Sequence, residues 1–82
     1  MKKTFKIGEY AIGGIITVDI INEELPFIAI KALDWNTKEV IRGDSSEDLR
    51  YIQNILLEWT SSYYTDKIMD WINSKVIKKG VL

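Results

Sequence analysis

Residues 15–34 read IITVDIINEELPFIAIKALD, two apolar-rich runs divided by the break NEELP. The first run, 15–21, is β-branched almost throughout and reads as a central strand. Pro26 has no N–H to give to a ladder, so the break ends that strand and 27–34 forms the next. Pairing Ile21 with Phe27 across the break sets Ile20 opposite Ile28, Val18 opposite Ile30 and Ile16 opposite Ala32. Directly opposed residues share a face, so one side of this hairpin is wholly apolar.

On the N-terminal side, KTFKIGEY at 3–10 alternates, with Phe5 and Ile7 on one face. The AIGG that follows offers Gly13 and Gly14 for a turn at positive φ. A loop pairing Tyr10 with Ile15 puts Ile7 opposite Val18, Phe5 opposite Ile20 and Lys6 opposite Asp19. On the C-terminal side, DWNTKE at 34–39 reads as a hairpin loop in which Asp34, Asn36 and Thr37 bond the local backbone. It leads into a short strand, 39–43, with Ala32 opposite Ile41. All three registers place Phe5, Ile7, Ile16, Val18, Ile20, Ile28, Ile30, Ala32 and Ile41 on one face.

The period changes at DSSEDL, 44–49. Ser45 with Asp48 three residues on makes a capping-box-like helix start, and Leu49, Ile52, Leu56 and Trp59 recur at helical spacing. TSSYYT at 60–65 is rich in poor helix formers and predicts a turn near 60–64. A second helix is expected to carry Ile68, Trp71, Ile72 and Val76, with Lys75, Lys78 and Lys79 at its end and Gly80 as C-cap. The expected fold is one α+β domain over 1–82. It is a four-stranded antiparallel β-meander (strands about 3–10, 15–21, 27–34 and 39–43) followed by two helices, about 46–60 and 65–78, packed on one face of the sheet.

Composition narrows the chemistry. Among 82 residues, 46% are apolar and 28% charged, the formal charge is −1, and cysteine and histidine are absent. A chain so balanced projects no strong field toward a polyion. Thiol nucleophiles, disulfides, Cys/His zinc sites and imidazole acid–base catalysis are all excluded. No apolar run approaches the ~20 residues of a membrane span. Lys6 and Glu9 interrupt the N-terminus before any signal-peptide core forms, so a cytoplasmic chain is expected. Nine lysines against two arginines is a usage associated with AT-rich genomes.

Carboxylates are the conventional catalytic groups that remain. Glu23 and Glu24 fall in a turn, Asp44, Glu47 and Asp48 at a helix start, and Asp66 and Asp70 one turn apart. Solvated turn and cap positions do not raise a carboxyl pKa as acid catalysis requires, and capping already explains them. DSSED lacks the spacing of a Ca²⁺ loop, and Gly13-Gly14 precedes a strand rather than a helix, so it cradles no phosphate. The serines have no histidine base and no Ser–Lys signature. The reading is a non-enzyme with no catalytic residue, cofactor or metal site.

Binding surface is what the pattern leaves. The registers turn Lys6, Tyr10, Ile15, Thr17, Asp19, Ile21, Phe27, Ala29, Lys31, Leu33, Val40 and Arg42 away from the helices. Such a face is either a half-solvated sheet or a docking surface, with Ile15, Leu33 and Val40 as an apolar patch. Trp35, in the hairpin loop, either folds back onto a strand or projects as a binding anchor. Of Tyr63 and Tyr64, one is expected to pack and one to be exposed. The partner-binding residues expected are Trp35, Ile15, Phe27, Lys31, Leu33, Val40, Arg42 and Tyr10.

These observations point to a small protein-binding module that acts by steric docking. Its partner is another protein, as for an inhibitor of a host machine encoded by a phage or other mobile element, or a second copy in a homodimeric adaptor. Lys6, Lys31, Lys38 and Arg42 support an alternative, nucleic-acid binding by the outer sheet face. Against it, residues 19–48 carry eight acids and three bases, where phosphate binding favours a dense basic patch.

Overall fold

The computed structural model describes residues 1–22 and 25–76. Expectations placed on Glu23, Glu24, Lys78, Lys79 and Gly80 lie outside those residues. The elements are β1 (Lys2–Lys6), a single 3-10 turn (Gly8–Tyr10), β2 (Gly14–Ile20), β3 (Ile28–Asp34), β4 (Val40–Ser46), α1 (Leu49–Trp59) and α2 (Ser62–Val76). The strands form one antiparallel sheet in the order β1-β2-β3-β4, and both helices follow it. The α+β meander expected from the sequence is the observed fold.

The central hairpin has the register read from its alternation. Ile20 lies opposite Ile28, Val18 opposite Ile30 and Ile16 opposite Ala32, and Ile21 N–H donates to the Phe27 carbonyl at 3.0 Å. All six of these ladder side chains are fully or almost fully buried beneath the helices. Burial on one face is what specifies such a register, because a slip by one residue would expose the whole set.

The β1–β2 pairing departs from expectation by four residues. Phe5 faces Ile16 and Lys6 faces Ile15, while Lys2 rather than Lys6 lies opposite Asp19. The cause is the connection. Gly8 at φ 72° starts the 3-10 turn, Ala11 N–H returns to the Gly8 carbonyl at 3.1 Å, and Ile7 N–H closes the loop on the Gly14 carbonyl at 2.9 Å. These bonds take 7–13 out of the ladder, so Tyr10 sits in the turn and not on the sheet. An even slip preserves the face, which is why Phe5 still packs against the core. Asp19 is instead 3.8 Å from the N-terminal ammonium.

The β3–β4 pairing contains a bulge. Leu33 lies opposite Val40, but Ala32 lies opposite Arg42, leaving Ile41 as the extra residue. Two corrections follow. Ile41 is not a core residue and is 48% exposed. Arg42 is not on the outer face, because it shares the helix-side face of its buried partner Ala32. β4 also runs on to Ser46, which faces Ile28.

With Ser45 and Ser46 held in the sheet, the helix start moves to Asp48. Its carboxylate accepts from Arg50 N–H at 2.9 Å, and Ser46 Oγ accepts from Asp48 N–H at 2.9 Å. This satisfies first-turn donors that have no partner within the helix. The expected break between the helices spans only Thr60 and Ser61. Thr60 is extended and forms a β-bridge to Ala11, while Ser61 Oγ accepts from Tyr64 N–H at 3.3 Å. The second helix therefore starts earlier than predicted, and Tyr63 and Tyr64 lie in its first turn.

The core joins the central strands to Ile52, Leu56 and Trp59 of α1 and to Ile68, Met69, Ile72 and Val76 of α2. Trp71 meets the Phe5 ring edge-on at 6.3 Å between centroids and seals the β1 side. Thr65 sits in this apolar setting with no exposed surface, and its Oγ1 has no hydrogen-bond partner among the described residues. An unpaired buried hydroxyl costs about 1–3 kcal/mol. The near-isosteric Thr65→Val should therefore stabilise the domain by about 1 kcal/mol, raising Tm by roughly 4–8 °C. A thermal melt checks this, and a lowered Tm would show that the hydroxyl has a partner in solution.

Candidate functional site

One end of the molecule gathers residues from four separate parts of the chain. Gly14 at the start of β2 pairs with Asp34 at the end of β3, and β4 begins beside them. The Ala11–Thr60 bridge brings the helix junction to the same end. Ile12 N–H donates to the Trp59 carbonyl at 3.0 Å, and the Thr60 hydroxyl donates to the Tyr10 carbonyl. Backbone and side-chain hydrogen bonds thus tie the 3-10 turn to the helix pair.

The hairpin loop that carries Trp35 is equally constrained. Asp34 accepts from Asn36 N–H at 2.9 Å and from Thr37 N–H at 2.8 Å. Those backbone donors favour the carboxylate, so Asp34 titrates below the ordinary Asp value. Trp35 N–H donates to the Gly13 carbonyl at 2.7 Å. The bare Gly14 backbone lets the indole in, since a Cβ there would lie 3.2 Å from both Trp35 Cβ and Cε3. Lys38 donates to the Trp35 carbonyl, and its ammonium stands 6.0 Å from the ring centroid.

Trp35 consequently does two things. Its base rests on the glycine loop, yet the side chain remains 45% exposed. Beside it lies a cavity of about 390 Å³ lined by Gly8, Glu9, Ala11, Gly13, Gly14 and Trp35. Tyr10 is 57% and Tyr63 is 60% exposed. Tyr64, half-buried against the core, meets both rings, tilted against Tyr10 at 6.0 Å between centroids and edge-on to Tyr63 at 4.9 Å. This end is an aromatic pole set on a hydrogen-bonded base.

The other expected partner-binding residues divide between the outer face, the helix side and the far end of the sheet. Ile15 is buried at 3% exposure between Lys6 and Leu33 on neighbouring strands, and Leu33 is half-buried. Leu33 pairs with Ile15 on one side and with Val40 on the other, so the three make one cross-strand row in which Val40 is exposed, Leu33 half-buried and Ile15 covered. Phe27 is exposed, but it lies at the opposite end of the sheet with Ile21 and Leu25. Lys31 is exposed in the middle of the outer face, opposite Thr17 and Gly43, and Arg42 has left that face. Sequence reasoning missed the groove beside Trp35. Its signal was the recurrence of glycine at 8, 13 and 14, all three of which take positive φ.

Two of the acidic positions at the start of α1 serve the fold. Asp44 accepts from the Tyr51 hydroxyl at 2.8 Å, which latches α1 to β4 and raises the Tyr51 pKa above its ordinary value. Asp48 caps α1. Among the described residues there is no group of three or more His, Cys, Asp or Glu side chains placed to hold a metal ion. No described helix is long and apolar enough to cross a membrane. Comparison of the chain with protein-family models, with curated proteins and with solved structures finds no match in any of the three.

Proposed function

We propose that this chain is a non-enzymatic protein-binding module that docks through the pole of Tyr10, Trp35 and Tyr63. The observation that carries the reading is the half-exposed Trp35, anchored beside a groove at the same end of the molecule as the exposed Tyr10 and Tyr63, on a base held by hydrogen bonds from three connections. Tyr and Trp are the commonest binding anchors, because each offers a large contact area at little conformational cost. A groove beside an anchored indole can admit a partner side chain and exclude water around it. The mechanism is steric: the pole occupies a site on its target, as an inhibitor of a larger machine does. The lysine-rich, arginine-poor composition suits an origin in an AT-rich genome, those of phages and other mobile elements among them.

The test is capture of partners on the immobilised chain from a candidate host lysate, with and without nuclease. The expected result is a stoichiometric protein that survives nuclease. Trp35→Ala should weaken its binding by about 30-fold or more, which corresponds to a hot spot of at least about 2 kcal/mol. Leu25→Ala at the opposite pole should leave binding unchanged. Equal binding by the Trp35 variant, with its fold intact by circular dichroism, would refute docking through the pole.

A second reading has its own observation. Lys2 and Lys6 share the outer face with Lys31, the slip of β1 brings Lys2 opposite Asp19, and a cavity of about 170 Å³ lies there among Lys2, Thr17, Asp19, Ile21, Ala29 and Lys31. Such a face suits phosphate contacts. Retention that vanishes with nuclease, falls steeply with salt and is reduced by Lys31→Glu would favour nucleic acid over protein.

A further inference from the structure

Among the described residues the sheet has two open edges, β1 and β4, and they differ in kind. β1 carries Lys2, Lys3 and Lys6 along five residues, a density of charge that repels a second copy of the same strand. Natural sheets protect their edges in this way. β4 carries VIRGDSS, with no lysine or proline. From Arg42 to Ser46 its pairing with β3 is regular, and the bulge at Ile41 lies at one end of the strand. A ladder's worth of backbone donors and acceptors on its outer side is unpaired by any described strand.

The charge order on this edge is self-complementary. Arg42 and Asp44 flank Gly43 and share one face, because their partners Ala32 and Ile30 are both on the helix side. We infer that β4 is the interface of a homodimer, in which two copies pair their β4 strands antiparallel about a two-fold axis at Gly43. That register places Arg42 of each copy directly opposite Asp44 of the other, so both charge pairs form at once. A lysine-bearing edge such as β1 has no register that does this.

The surroundings fit the same occupant. Arg42 is exposed and has no ion pair among the described residues. Asp44 is held by Tyr51 and by Ser45 N–H at 2.8 Å, yet a carboxylate has further acceptor sites for a guanidinium. Gly43 presents no side chain at the axis. Because the axis is perpendicular to the sheet, the joined eight strands keep all helices on one side, and the two α1 helices flank the seam. Tyr51, 42% exposed, reaches Asp44 of this edge with its hydroxyl, and the pairing covers apolar surface of its ring that a lone chain leaves in water.

The inference stands independently of the aromatic pole, which β4 pairing leaves outside the seam. Its test is the mass of the full chain by light scattering or sedimentation across a concentration series. The wild type should reach twice 9.5 kDa. Arg42→Asp should weaken self-association on the order of 100-fold, because attraction becomes repulsion at two symmetric places. Asp44→Arg should do the same. An equimolar mixture of these two variants should recover the dimer, since each supplies the charges the other needs. Arg42→Asp/Asp44→Arg in one chain should recover it too. Hydrogen exchange supplies a measurement that needs no variant, with the Ile41–Ser45 amides gaining protection as concentration rises. A monomer at every concentration would overturn the inference, as would a dimer that persists unchanged in Arg42→Asp.

Discussion

Gly13→Ala should lower the melting temperature by about 15 °C or more, the largest effect expected of any single methyl group in this chain. Gly13 has φ 73°, where an L residue costs roughly 1–2 kcal/mol. More serious is what the new Cβ would meet, namely the Leu33 carbonyl oxygen at 2.4 Å and its carbon at 2.9 Å. The Ile41 Cδ1, also at 2.4 Å, is the far end of a side chain and can turn aside. The Leu33 carbonyl cannot, because it belongs to β3 between two paired strands. The loop must therefore lift away, and the Trp35 N–H bond to the Gly13 carbonyl is lost with it. Gly8→Ala is the matched control, since φ is 72° there but nothing lies within 4 Å. Only the conformational cost of roughly 1–2 kcal/mol applies, so Tm should fall by roughly 4–16 °C and by clearly less than in Gly13→Ala. Thermal melts of the two variants separate strain from collision, and equal small losses would mean that the Gly13 loop moves freely.

Ile30→Ala should remove about 2–5 kcal/mol of stability, read as a lower urea midpoint at unchanged slope. Ile30 is fully buried near the middle of β3, opposite Val18, with helices above it. Truncation loses the transfer energy of its methylenes and leaves a void that a sheet cannot readily close. For 82 residues total stability is about 4–12 kcal/mol at roughly 0.05–0.15 kcal/mol per residue. One such substitution can therefore consume a large share of it. Ile41→Ala is the informative contrast. Simple alternation puts Ile41 and Ile30 on the same buried face, but the bulge leaves Ile41 half in water, so its truncation should cost about 1 kcal/mol or less. Comparable losses at the two positions would show that β4 pairs without the bulge.

The contrast marks where reading the chain succeeds and where it stops. Residues 15–34 could be paired correctly because both strands alternate and a register error would turn Ile16, Val18 and Ile20 into solvent. Alternation alone pairs β1 four residues out of place, yet with its faces right, because a period of two reports parity and not position. Simple alternation gives the wrong face for Arg42 for a different reason. The residues after Ile41 are Arg, Gly, Asp, Ser and Ser, with no apolar rhythm to reveal that the strand continues or that one residue has dropped out of the ladder. Backbone bonding to β3 holds this segment in the sheet, and its own side chains carry little sign of it.

The candidate site shows the same division. Trp35 and Tyr10 were selected by residue type, which is a property of single positions. Their neighbourhood is not legible, because the segments that carry Tyr10, Trp35 and Tyr63 are brought to one end of the molecule by bonds between residues distant in sequence, Ile12 with Trp59 and Trp35 with Gly13. By itself the sequence determined that this is an α+β meander, which face of its central strands is buried, and that thiol and imidazole chemistry are absent, because these follow from periodicity and composition. The tertiary structure decided the register of the outer strands, the burial of Ile15, the face of Arg42 and the assembly of the aromatic pole. Each of those depends on loop closure and on contacts between remote segments, and local alternation carries no record of either.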